Sequence, residues 1–206
     1  MHEPDYMERT IDSLPLLKKL ALGASCCERL LPNYLAFSLM ENWGDPQRLR
    51  AALDKVWMGL VNESHLVELH NISRSDLIQI IPDTENFTTL FTSLAGDAVA
   101  SIVYAIESYL NPSESTEKIL LVLQVAQNSI FQYLVAVNDA EISAHIEQPS
   151  FEEAVFNYPL MTAEIDNQTS DLNLIESSDL DSDVVQRLRV SSENSGIQPI
   201  KRGMVK

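Results

Sequence analysis

Apolar side chains recur along this chain at the spacing of one helix face, and the clearest example is the stretch 88–110. Three or four residues separate many of its apolar positions, as expected when one side of a helix packs into a core. The apolar positions are Phe91, Leu94, Ala95, Ala98, Val99, Ile102, Val103 and Ile106. The opposing polar face carries Ser93, Asp97, Ser101, Tyr104 and Ser108. The pattern predicts a long amphipathic helix that ends before Pro112.

Helical periodicity extends over most of the remaining chain, and no stretch alternates with the period of two that is typical of β-strands. We predict further helices over residues 13–31, 33–42, 46–62, 74–81, 114–144, 151–158, 160–176 and 181–190. Residues 63–72 fit either a short helix or a loop. The sequence therefore predicts an all-α, single-domain bundle of about seven to nine helices with short connections, over residues 13–190. We expect residues 1–12 to be a mobile lead-in and residues 191–206 a flexible basic tail.

Proline and glycine mark predicted helix ends in the segment 26–45, CCERLLPNYLAFSLMENWGD, which is chemically the most mixed in the chain. Pro32 is predicted to end one helix or to begin the next, because proline lacks an amide hydrogen. Gly44 is predicted to stop the following helix as a C-cap. Asp45 is predicted to cap the helix after that, with Pro46 in its first turn.

The chain is strongly acidic, with a formal net charge of -16 over 206 residues, and the charge is unevenly distributed. Residues 75–186 contain one basic residue, Lys118, against 19 Asp and Glu, whereas residues 1–74 carry -2 and residues 187–206 carry +4. Such a surface repels phosphate backbones, so we expect no nucleic-acid binding. The acid excess either keeps the protein soluble or forms a face that docks the basic tail or a basic partner.

Three features of the sequence indicate a cytoplasmic protein. Its two cysteines, Cys26 and Cys27, are adjacent and cannot form an ordinary structural disulfide, which fits a reducing compartment. The N-terminal residues are acidic and lack the basic start and apolar core of a signal peptide. Residues 119–138 carry no charge over a membrane-spanning length, but their glutamine, asparagine and serine side chains favour a buried helix over a membrane span.

Candidate binding chemistry is confined to a few polar and aromatic side chains. The candidate set is Glu28, Arg29, Asn33, Tyr34, Trp57 and Asp97. Glu28 and Arg29 are adjacent on a helix and do not face each other, so each needs a partner elsewhere or solvent. For Arg29 the candidate partner is Asp97, a charge in the middle of an apolar helix, and exposure to solvent is the alternative. Aromatic residues at helical spacing are more typical of a core than of a pocket.

We expect no metal site, no cofactor and no catalytic residue. His65 and His70 are five residues apart and point to different faces of any helix. Glu141 and His145 would share a face, but their spacing is not that of a bundle metal site. The adjacent cysteines have no histidine nearby, and cysteine is among the most buried residue types.

A specific signature lies in the segment CERLLPNYLAFS at residues 27–38. It is followed by Gly44, Asp45, Arg50, Leu53, Asp54 and Trp57, and then by Ile81, Pro82, Phe87, Asp97, Ala98, Glu164, Asp166 and Gln168. This pattern resembles the YjaG-like family of uncharacterised bacterial proteins, a domain of unknown function (DUF416), over about residues 16–197. The resemblance implies an all-helical bacterial cytosolic domain and brings no established activity, ligand or catalytic residue. Residues 176–184 depart from the family pattern, which leaves the boundaries of the last helices open.

Two hypotheses for the function remain. The first is a non-enzymatic protein that works through association, as a homodimer or with a protein partner, because the sequence combines segregated charge with no catalytic constellation. The second is a small-molecule-binding or enzymatic site around the helix corner at residues 26–45, because that segment mixes polar and aromatic side chains. The second hypothesis requires the six candidate side chains to converge on one cavity.

Overall fold

A computed structural model describes residues 3–136 and 151–195, and these residues form α-helices with no β-strand. The nine α-helices of this part are α1 Glu3–Ser13, α2 Leu16–Glu41, α3 Pro46–Val61, α4 Arg74–Ile78, α5 Leu90–Leu110, α6 Ser115–Ala136, α7 Phe151–Phe156, α8 Pro159–Ser177 and α9 Ser182–Asn194. Two 3-10 helices lie at Glu63–Asn71 and Pro112–Glu114. The predicted all-α bundle is confirmed.

The central element is α2, and α3, α5, α6, α8 and α9 all pack against it. Its residues 19–31 are buried without interruption, so this helix has no solvent face over more than three turns. Gly23 allows α5 and α6 to pack closely on α2, because a Cβ there would lie 2.6 Å from Ile119 Cδ1 and 3.5 Å from Ala105 Cβ. The polar side chains of α2 therefore have to find partners inside the bundle.

The predicted break at Pro32 is wrong, because α2 continues through it to Glu41. A proline inside a helix leaves the carbonyl four residues earlier, that of Glu28, without its usual amide donor. Buried residues on both sides of Pro32 hold the helix in register across it. The helix ends at Asn42, whose φ of 49° is left-handed, and not at Gly44.

The predicted start of α3 is confirmed, since the side chain of Asp45 accepts a hydrogen bond from the Arg48 amide at 2.9 Å and Pro46 occupies the first turn. Ser73 likewise caps α4 by accepting from the Asp76 amide at 3.3 Å. The ambiguous stretch 63–72 is a 3-10 helix over Glu63–Asn71.

Helices extend beyond the predicted bundle bounds, residues 13–190, at both ends of the described chain. Residues 3–12, expected to be a mobile lead-in, belong to α1, whose Thr10 and Ile11 are buried. Residues 191–194, expected in the tail, belong to α9, and Ser192 is buried. Residues 137–144 of a predicted helix and residues 196–206 of the predicted tail lie outside the described residues.

Two apolar stretches, α5 and Pro112–Ala136, are long and apolar enough to cross a membrane by length and composition alone. Inside the bundle, 56% of the most apolar window of α5 and 44% of that of the second stretch are buried. Core helices of soluble bundles meet the same criterion, so the soluble assignment of residues 119–138 stays a prediction.

Candidate functional site

The buried polar contacts centre on Glu28 and Arg29, whose side chains point away from α2 in different directions. Adjacent helical residues point about 100° apart, so the two side chains reach different helices. Glu28 faces α3, where its carboxylate accepts from Trp57 Nε1 at 2.8 Å and from both Nη atoms of Arg50, one of them at 2.9 Å. Arg50 also pairs with Asp54 at 3.0 Å. Glu28 is thus a buried carboxylate whose charge is balanced within the α2–α3 contact.

Arg29 faces α8 and α9. Its Nε donates to Glu164 Oε2 at 2.8 Å and its Nη2 to Glu164 Oε1 at 3.0 Å, which is a bidentate pair. Its Nη1 donates to Asp171 Oδ2 at 2.7 Å and to Ser192 Oγ at 3.4 Å, and its Nη2 also reaches Cys26 Sγ at 3.2 Å. Burial raises the pKa of Asp171, although Arg29 acts in the opposite direction.

Gln168 extends this group toward α6. Its amide nitrogen donates to Glu164 Oε1 at 2.9 Å and to the Leu123 carbonyl at 3.2 Å, and its Oε1 accepts from Gln127 at 2.9 Å. We call the group of Arg29, Gln127, Glu164, Gln168 and Asp171 the polar seam. Glu164, Gln168 and Asp171 share one face of α8 at positions i, i+4 and i+7.

The partners of Arg29 are not predicted by the sequence. Glu164 and Gln168 enter only as positions of family resemblance, and Asp171 is not among the candidates. The available signal was their shared spacing on one helix face, which is also what a solvated face of a helix shows. Burial of that face became evident only from the packing of α8 against α2.

Neither alternative left open for Arg29 holds, because it does not bond to Asp97 and is 1% exposed. Asp97, on α5, accepts hydrogen bonds from Ser129 Oγ at 2.6 Å and Gln132 Nε2 at 3.4 Å, both on α6. Burial raises the pKa of Asp97, and the hydrogen bond from Ser129 lowers it by less. Asp97 therefore links α5 to α6 through neutral donors.

Tyr34 fixes the turn between α2 and α3. Its hydroxyl donates to the Ile80 carbonyl at 3.0 Å and accepts from the Asp45 amide at 3.1 Å. Gly44 has a φ of 93°, in the left-handed region, and a Cβ there would lie 2.5 Å from the Tyr34 hydroxyl oxygen. Glycine is required at this corner for both reasons.

Neither cysteine is a poised nucleophile. Cys26 and Cys27 are free and fully buried. Burial raises the pKa of Cys27 to about 12 and that of Cys26 well above its ordinary value. Both thiols therefore stay protonated at neutral pH, and the thiolate is the reactive form.

The candidate residues do not gather in one place. Glu28 contacts Trp57 directly, whereas Arg29 bonds to α8 and α9, Tyr34 to the backbone of Ile80 and Asp45, and Asp97 to α6. Four surface clefts of about 250, 520, 410 and 350 Å³ lie along the described residues, and Trp57 is the one candidate that lines any of the four. Asn33, the sixth candidate, is fully buried.

The described part of the chain also has no ligand set for a metal, because no group of three or more His, Cys, Asp or Glu side chains there could hold an ion. His65 instead contacts Glu68 at 3.1 Å on the protein surface. Glu141 and His145 lie outside the described residues.

Comparison with known proteins gives a family and a fold. Residues 6–200 match the model of a family described as a protein of unknown function, DUF416. The fold is similar to that of a crystal structure of a DUF416 family protein from Shewanella baltica OS155 at 1.91 Å resolution, with a TM-score of 0.76. The two chains are 24% identical, with 92% of this chain and 94% of the other covered. No curated protein matches. Because the family model spans nearly the whole sequence, the chain belongs to the DUF416 family.

Proposed function

We propose that this protein works by associating with a second copy of itself, and not by catalysis, through an apolar surface at the C-terminal end of α2. The α2 surface consists of Leu35, Leu39 and Met40, and Leu39 is 82% exposed. Leu35 and Leu39 are four residues apart and share one face of the helix. Their exposure carries the proposal, because residues 19–31 of the same helix are buried without exception.

Association would remove these side chains from water. Burying a leucine side chain contributes about 1.5–3 kcal/mol, and in a twofold dimer each copy supplies the same residues. Exposed apolar groups that cluster on a soluble protein mark interaction sites more often than groups that are scattered singly. The α2 surface is therefore suited to symmetric pairing.

The charge distribution supports a second copy as the occupant. Two chains that each carry -16 repel one another. The acid excess belongs to residues 75–186, whereas the α2 surface belongs to residues 1–74, with a net charge of -2. The residues that form the α2 surface are themselves uncharged and add nothing to that repulsion.

A structural role for the buried polar residues supports a non-enzymatic function. Glu28 is occupied by Arg50 and Trp57, and Arg29 by Glu164 and Asp171. These contacts use the charged groups internally instead of presenting them to a substrate. We also propose a cytoplasmic location without a nucleic-acid partner, because the two cysteines are free and the chain is acidic throughout its middle.

Sedimentation velocity over a range of protein concentrations tests the proposal. We expect the wild-type protein to sediment as a dimer, and the double variant Leu35→Glu, Leu39→Glu to sediment as a monomer with an unchanged circular dichroism spectrum. The control is Val67→Glu, which changes another strongly exposed apolar side chain, 64% exposed, in the 3-10 helix Glu63–Asn71. It should remain dimeric. A wild-type protein that stays monomeric at every concentration, or a double variant that still dimerises, overturns the proposal.

A further inference from the structure

Asn33 is the one buried side chain of the described residues whose amide has no hydrogen-bond partner at either end. It is 0% exposed, and neither Nδ2 nor Oδ1 bonds to the protein. A buried amide without partners loses its hydration with nothing in return. Folded proteins leave few such groups, and those they leave call for an explanation.

Helix spacing relates Asn33 to the polar seam. Asn33 lies four residues after Arg29, on the same face of α2. Helix α8 runs antiparallel to α2, because Lys18 Nζ reaches the Glu176 carbonyl at 3.5 Å while Arg29 reaches Glu164. Glu164 is therefore the residue of the seam on α8 that lies nearest to the level of Asn33.

Neither Arg29 nor Gln168 has a donor left for Asn33. Arginine has five N–H groups, and those of Arg29 are directed at Glu164 twice, Asp171, Ser192 and Cys26. The Gln168 amide is engaged at both ends. Glu164 retains acceptor capacity, because its Oε2 receives a single hydrogen bond, from Arg29 Nε, and a carboxylate oxygen can accept two.

We propose that Asn33 and Glu164 hold an internal water molecule. The water accepts a hydrogen bond from Asn33 Nδ2 and donates to Asn33 Oδ1 and to the Glu164 carboxylate. Buried waters typically make about three such bonds to polar groups that are otherwise unsatisfied. A bound cation would serve Oδ1 and the carboxylate but would leave Nδ2 without any acceptor, whereas water serves both ends of the amide.

Replacing Asn33 by leucine, which has nearly the same shape, tests the proposed water site. The result depends on whether the melting temperature falls or rises. If Asn33 binds water, Asn33→Leu removes those bonds and lowers the melting temperature. If the amide is truly unsatisfied, leucine relieves a buried polar group and raises the melting temperature, which overturns the proposal. Gln168→Leu is the matched control, because that amide has protein partners at both ends, and it should lower the melting temperature in either case.

A crystal structure of the full chain gives a readout that does not depend on the folding of a variant. We expect electron density for a water within about 2.7–3.2 Å of both Asn33 amide atoms and of Glu164. A protein group bonded to Asn33, or a site with no such density, overturns the proposal.

Discussion

Arg29 and Glu164 are 135 positions apart in the chain and meet inside the bundle through two parallel hydrogen bonds of 2.8 and 3.0 Å. Both side chains are 1% exposed. The pair connects α8, a helix late in the chain, to the central helix α2. Because the contact is ionic and buried, each partner depends on the other to stay in the interior.

Replacing Arg29 by methionine should destabilise the fold strongly. Arg29→Met leaves Glu164 and Asp171 buried without their cation, so we expect a loss of about 3–5 kcal/mol in the free energy of unfolding. Urea denaturation followed by circular dichroism measures it. The control is Arg187→Met, which removes a surface pair with Asp183 at 3.8 Å and should cost less than about 1 kcal/mol. Equal effects of the two substitutions would contradict the structural role of Arg29.

Replacing Trp57 by phenylalanine should show how much its indole N–H contributes to the free energy of unfolding. A smaller aromatic ring replaces the indole, and the hydrogen bond to the Glu28 carboxylate, 2.8 Å long, is lost. We expect a loss of about 1.5–3 kcal/mol, the range for a hydrogen bond to a charged group. Trp43→Phe is the control, because Trp43 packs edge-on against Phe37 and its N–H has no hydrogen bond to any described residue. If both variants lose the same stability, the Glu28 contact contributes nothing specific.

Replacing Tyr34 by phenylalanine should loosen the corner between α2 and α3. The change removes one hydroxyl and leaves the Ile80 carbonyl and the Asp45 amide without it, at an expected cost of about 1–3 kcal/mol. Amide hydrogen exchange at Asp45 should also become faster. Tyr109→Phe is the matched control, because its hydroxyl has no hydrogen bond within the described part of the chain. An unchanged exchange rate at Asp45 would refute the assignment.

Asp97 should make stability depend on pH. Its pKa is raised above the ordinary 3.8 by burial, so the folded state binds the proton more tightly than the unfolded state does. The ionised form therefore costs stability above the folded pKa, and that cost disappears as the pH falls toward 3.8. We expect Asp97→Asn to be most stabilised relative to wild type near neutral pH, with the difference shrinking as the pH is lowered. Urea denaturation at several pH values measures this. A difference that does not change with pH would show that Asp97 is not responsible.

Much of the fold could be predicted from the sequence because the forces involved are local. The apolar stripe of residues 88–110 and the cap at Asp45 depend on neighbours within a few positions, and the structure has both in α5 and α3. The predicted break at Pro32 is wrong because the local cost of the proline, about 3 kcal/mol in a helix interior, is offset by burial on both sides of it, and burial is a property of the whole bundle.

The sequence by itself determined that these residues form helices and that Glu28 and Arg29 could not pair with each other. The tertiary structure alone decided that Arg29 meets Glu164 and Asp171 on α8, that Asp97 binds to α6 instead, and that Asn33 is enclosed. The physical reason is that helix periodicity depends on residues that are three and four positions apart. A partner more than a hundred positions away is chosen by how the helices pack, which no local spacing records.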